Sequence, residues 1–166
     1  MRKNFVRLPT LEAEREFEED LLSPLTFVRK VKSEEVTMYR RNTSKYITTG
    51  ENWQVKYAVV GMQGWRESME DAHITNSNLG MGRSLFAVFD GHAGSEVAKF
   101  CADKFCTVLA RLPSFKDHRY KDALVECFLS LDEIMKTKEG IEELKILAQS
   151  EEIFAGTTAS VVLLTP

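Results

Sequence analysis

The sequence predicts an α/β (α+β) sandwich, with antiparallel strands flanked by helices, on three observations. Apolar, β-branched runs occur at residues 55–62 (VKYAVVGM) and 84–90 (SLFAVFD). Two long stretches after residue 95 repeat their apolar residues every three or four positions. A further β-branched run, AGTTASVVLL, follows at residues 155–164. Strand-period and helix-period segments in the order β-β-β-α-α-β fit neither an all-β nor an all-α fold.

Each element follows from its own residues. VKYAVVGM reads as a strand and gives way to the turn-prone QGWRES. DAHIT starts a second strand, and NSNLGMG is a turn by its Asn, Ser and Gly content. SLFAVFD is almost continuously apolar, the pattern of a strand buried on both faces. Gly91 and Gly94 break it, and a helix begins near Ser95 with Val97, Ala98, Cys101, Phe105, Val108, Leu109 and Leu112 on its apolar face, closed by Pro113. The second helix runs from about His118 to Lys136, its apolar stripe including Tyr120, Leu124, Cys127, Phe128, Leu131, Ile134 and Met135. A shorter third helix fits residues 139–150, and AGTTASVVLL is the last strand. The sequence stops at Thr165–Pro166, directly after this strand, which predicts a domain truncated at its C-terminus.

Residues 1–44 differ from the rest. Acidic residues cluster at Glu12, Glu14, Glu16, Glu18, Glu19 and Asp20, and basic residues scatter from Arg29 to Arg41. Ala13, Phe17 and Leu21 allow one short amphipathic helix capped by Thr10. The segment reads as a partly disordered N-terminal extension, either a solvated tail or a regulatory arm. Residues 45–166 form the domain proper.

With 43% hydrophobic and 28% charged residues over 166 positions, the chain has the composition of an ordinary globular domain. A net charge of -3 argues against nucleic-acid binding. No apolar run approaches the ~20 residues of a membrane span, and the N-terminus has no signal-like apolar region. Three cysteines without a CxxC pair argue against a disulfide framework or zinc site and favour a reducing compartment, cytoplasmic or nuclear.

The chemistry concentrates at Asp90-Gly91-His92. A buried strand delivers the carboxylate to its C-terminal end, glycine lets a ligand approach the backbone, and an imidazole follows. Carboxylate, carbonyl and water are the donors that Mg²⁺ or Mn²⁺ prefer. A helix-capping Asp beside a surface His is the plainer alternative. A hairpin turning near Leu79-Gly80 sets Glu70 opposite about Phe89 and Met69 opposite about Asp90, with the register free to slip by one or two. Glu70, Asp71 and Asp90 then share one end of the hairpin, where converging carboxylates repel unless a cation lies between them. Arg66 lies a few residues beyond, within reach of a phosphate on that cation. An exposed Glu70–Arg66 pair is the alternative.

QGWRESMEDAH, FAVFDGHAGSEVAKF and GTTASVVLL together resemble the successive N-terminal motifs of the metal-dependent serine/threonine protein phosphatases, type 2C (the PPM family). TSKYITTGENWQVKYAVVGMQGW is similar to the lead-in of animal and plant members, so the resemblance covers about residues 43–165. Ala93 stands where many members have glycine, although DGHAG is also a known form. The resemblance implies the N-terminal half of an α-β-β-α catalytic domain that hydrolyses phosphoserine and phosphothreonine in phosphoprotein substrates. It implies that Asp90 bridges two Mn²⁺ or Mg²⁺ ions, that the Gly91 carbonyl ligates one, and that Glu70 holds that ion's water shell, with Asp71 behind it. Arg66 binds the substrate phosphate and His92 acts as general acid. A metal-activated water attacks phosphorus directly. Thr158 is a structural support. The family's later metal-binding aspartates have no counterpart before Pro166, so little or no activity is expected of this chain alone.

Other residues offer less. His73 reads as a strand residue, His118 as part of a helix cap, the cysteines as core, and Trp65 as a cleft wall or a packing residue. Dinuclear metallophosphoesterases also begin with D-x-H, but their G-D-x-x-D and N-H-E motifs are absent from residues 93–166. A second function class is a non-catalytic truncated phosphatase domain that binds a partner or substrate.

Overall fold

A computed structural model describes residues 27–30 and 36–166. The amphipathic helix expected near residues 10–21 lies outside the described residues. The chain divides into two compact units, one containing the described part of Met1–Tyr46 with Val60–Ser68, the other Ile47–Val59 with Met69–Pro166.

In the smaller unit β1 (Phe27–Lys30) pairs antiparallel with β2 (Val36–Tyr39). β3 (Asn42–Glu51) and β4 (Lys56–Gly64), each belonging partly to one unit and partly to the other, form a two-stranded sheet. Asn52 builds their turn: its Oδ1 accepts from Gln54 N and Val55 N at 2.8 and 2.9 Å. Its Nδ2 donates to the Ser77 carbonyl at 2.7 Å and to Ser84 Oγ at 3.0 Å, so within the larger unit this turn is tied to the main sheet.

That sheet has the order β5 (Ala72–Gly80), β6 (Arg83–Phe89), β9 (Ser160–Leu164), all antiparallel. Leu85, Ala87 and Phe89 alternate along β6 and are buried against the helices. The opposite face is not buried as the apolar run predicted. Tyr57 packs on Phe86 with ring centroids 5.0 Å apart, but Val88 is 50% exposed. Helices cover only one side of the described sheet, so an apolar residue on the other side stays open.

The helix layer follows from i, i+4 stripes. α1 (Glu96–Arg111) buries Val97, Cys101, Phe105 and Leu109, and Phe100 beside them. Pro113 ends this helix and occupies the first turn of the four-residue α2 (Pro113–Lys116). α3 (Tyr120–Met135) buries Ala123, Cys127 and Leu131. α4 (Lys138–Ala148) is capped by Thr137, whose Oγ1 accepts from Gly140 N at 3.0 Å. Phe105 joins the layers, 6.0 Å from the Phe89 ring and 5.3 Å from the Phe128 ring. The mixed α+β architecture expected from the sequence is the one observed.

A candidate metal and phosphate site at the end of the hairpin

β6 ends at Phe89, and the next two residues, Gly91 and His92, form the short strand β7. Its partner comes from far along the chain. β8 (Gly156–Thr157) pairs Thr157 with Gly91 and Gly156 with His92. Thr158 N donates to the Asp90 carbonyl at 2.9 Å. The Asp90-Gly91-His92 turn is therefore fixed by backbone bonds, while the Asp90 and His92 side chains remain exposed.

The β5–β6 register places Ala72 opposite Phe89 and His73 opposite Val88. This is two residues from the pairing expected by counting back from the turn. The strands turn at Met81-Gly82 rather than Leu79-Gly80, which displaces the pairing by four residues, and a bulge between Asn76 and Gly80 takes two of them back; the net shift of two leaves every residue on the same face. The Glu70 main chain consequently lies against Gly91, where a Cβ would run into the Glu70 carbonyl oxygen and lie 3.0 Å from that of Gly94. Glycine is required here by close backbone approach. At Gly156 the neighbour is a side chain instead: a Cβ there would lie 2.5 Å from His92 Nε2, so the His92 ring rests against this glycine. Ala93 holds φ 57, a left-handed conformation that costs an L-residue about 1–2 kcal/mol.

Glu70, Asp71, Asp90, Gly91 and His92 all belong to the larger unit, and Arg66 to the smaller. Glu70 is half-buried, Gly91 buried, and Arg66, Asp71, Asp90 and His92 exposed. Gln63 Nε2 donates to the Arg66 and Glu67 carbonyls at 2.9 and 3.0 Å, shaping the turn that carries Arg66. Within that unit the Arg41 guanidinium lies 5.8 Å from the Trp65 ring, so Trp65 takes part in packing. Carboxylates, a carbonyl and water are the hard oxygen donors that suit Mg²⁺ or Mn²⁺. Among the described residues, no group of three or more His, Cys, Asp or Glu is arranged to hold a metal ion. The donors present match such ions in chemistry but form a partial set.

Two features escaped the sequence reading. Gly156 and Thr157 clamp the turn, and their only local sign is a run of small residues before a strand. Glu96, in the first turn of α1, is buried, its carboxylate folded back where a Gly94 Cβ would lie. His73 is simply a β5 residue opposite Val88, and the His118 Nδ1 lies 2.7 Å from the Tyr120 hydroxyl. The three cysteines are free, and burial pushes the thiols of Cys101 and Cys127 up to about 11 and about 12.

The structure thus places an acidic, glycine-containing turn, held by backbone pairing, at the end of an antiparallel sheet in an α+β protein. The comparisons name the family. The protein phosphatase 2C family model matches residues 55–166. Probable protein phosphatase 2C 3 of Paramecium tetraurelia is 43% identical over 122 residues, covering 72% of this chain and 41% of that protein. Probable protein phosphatase CG10417 of Drosophila melanogaster is 42% identical over 106 residues, 64% of this chain and 16% of that protein. Probable protein phosphatase 2C 11 of rice, Oryza sativa subsp. japonica, is 40% identical over 105 residues, 63% of this chain and 29% of that protein. The chain belongs to the protein phosphatase 2C family, and it spans 41% of the length of the Paramecium relative.

Proposed function

We propose that residues 45–166 form the N-terminal part of a metal-dependent serine/threonine phosphatase domain, preceded by an extension over residues 1–44. The observation that carries this reading is the clamp of β8 on β7, with Thr158 N bonded to Asp90 O. Such rigidity suits a site whose donors must hold their positions.

Asp90, the Gly91 carbonyl and Glu70 would hold Mn²⁺ or Mg²⁺. When bound, these ions supply charge neutralisation and a water acidified toward pKa ~7. Arg66 binds and orients the phosphate of a phosphoserine or phosphothreonine side chain through its planar fork of donors. Asp71 supports Glu70. His92 gives its proton to the departing seryl or threonyl oxygen, which would otherwise leave as an alkoxide. Three free cysteines fit a cytoplasmic or nuclear setting. The partial donor set favours weak metal binding and little turnover by this chain alone, so a partner- or substrate-binding role is the second reading.

The test is Mn²⁺ titration of the isotopically labelled chain, read by paramagnetic broadening of amide resonances. Broadening centred on Glu70 and Gly91 and abolished by Asp90→Asn is expected, with little hydrolysis of p-nitrophenyl phosphate or a phosphothreonine peptide. Broadening unaffected by Asp90→Asn would overturn the metal assignment. Turnover by the chain alone, lost in Asp90→Asn, would overturn the claim of incompleteness.

A further inference from the structure

Between the helix layer and the β7–β8 end of the sheet lies a cavity of about 420 Å³. Its size falls within the range of small-molecule sites. The walls are apolar: Phe89 from the sheet, Cys101 from α1, Leu131 and Met135 from α3, Leu144 from α4, and Ile153 from the following loop. One charged residue, Asp132, lines it; this carboxylate is solvent-exposed and makes no direct salt bridge among the described residues, the cation that feels its charge being Lys136, one turn further along the helix and itself bridged to Glu133. Gly156 and Thr157 complete the lining, and they are the residues that pair with His92 and Gly91.

We propose that this cavity is a regulatory site for a small amphipathic amine, its apolar body among Phe89, Leu131 and Met135 and its ammonium at Asp132. Apolar walls reward burial of a hydrocarbon or aromatic body. A single carboxylate at the mouth selects a cation over a neutral or anionic isostere. A ligand seated here touches the strand that clamps the Asp90-Gly91-His92 turn, so occupancy biases how that turn is held. The regulatory consequence rests on the phosphatase reading; the binding does not.

The test uses 1-naphthylmethylamine, its alcohol 1-naphthylmethanol, and 1-naphthylacetate as probes, with binding followed by fluorescence and by amide and His92 ring NMR signals of the full chain. Neither metal nor turnover is involved, so failure here is separable from failure of the phosphatase reading. Saturable sub-millimolar binding of the amine is expected, with the alcohol about 2- to 5-fold weaker and the acetate weaker still. Asp132→Asn, a change at an exposed position, should bring the amine down to the level of the alcohol. Met135→Trp, which fills the cavity, should abolish binding of both. Shifts at Gly156, Thr157, Gly91 and His92 should saturate together with fluorescence. Equal binding of amine and alcohol, an unaltered Asp132→Asn response, shifts confined to another surface, or no binding would each overturn the proposal.

Discussion

The contact between Gly156 and the His92 ring can be measured as an interaction energy. A Cβ at Gly156 would stand 2.5 Å from His92 Nε2 and 2.9 Å from Cε1, whereas ordinary contacts lie at 3.4–4 Å. The exposed ring can retreat by swinging off its rotamer, at about 0.5–1.5 kcal/mol. Working against this, glycine to alanine at an unstrained position stabilises by about 0.4–1 kcal/mol through the unfolded chain. Gly156→Ala should therefore be nearly neutral to mildly destabilising in the native sequence. In a His92→Ala background only the gain survives. Urea denaturation of the four proteins in a double-mutant cycle should give a coupling of about 0.5–1.5 kcal/mol, above the ~0.3–0.5 kcal/mol scatter of independent sites. Coupling within that scatter would mean that the ring does not rest on Gly156, and the account of how His92 is positioned would fail.

Other perturbations follow from the same contacts. Gly91→Ala meets backbone rather than a movable side chain, so it should cost about 1–3 kcal/mol, read as a lower thermal midpoint by about 2–4 °C per kcal/mol. Asn52→Ala removes two hydrogen bonds within the β3–β4 turn and two from it to Ser77 and Ser84, and should cost about 2–4 kcal/mol by urea denaturation; Asn52→Asp, which keeps the acceptor half, should cost less. The thiols of Cys101 and Cys127, pushed up to about 11 and about 12 from 9.0, stay protonated in the folded state while the unfolded thiols ionise. The folded state then binds more protons above pH 9, so stability should fall as pH rises from about 9 toward 11 or 12. Cys127→Ala should flatten that slope, and iodoacetamide at pH 8 should label both cysteines far faster in urea than in buffer.

Elements with a strong local period were legible. The Val97–Cys101–Phe105–Leu109 stripe fixes α1, and the alternation of Leu85, Ala87 and Phe89 fixes β6. β3 was missed because NTSKYITTGE lies largely exposed and carries no apolar alternation to betray it. The register differs because the strands turn at Met81-Gly82, one of two Gly-containing places in NSNLGMG where they could reverse, and a bulge that leaves no mark in the sequence offsets half of that displacement. Of the site, composition and spacing left the carboxylates and His92 open to a plain helix-cap or surface-pair reading, and the resemblance of the surrounding motifs singled them out. The clamp could not be read, since pairing between segments distant in sequence leaves no periodic mark on either.

Thr158 separates the two kinds of information. Its place in a resembling motif suggests structural support without saying which atoms give it; the bond to Asp90 O comes from its backbone N–H, and the residue is exposed. Thr158→Ala keeps that N–H and should change stability by less than about 0.5 kcal/mol. Thr158→Pro removes the donor and leaves the Asp90 carbonyl without it, at about 1–3 kcal/mol. Amide hydrogen exchange at Gly91 and His92 should then accelerate in the proline variant alone. If alanine loosens the turn as much as proline does, the side chain rather than the backbone holds Asp90, and the clamp described here is misassigned.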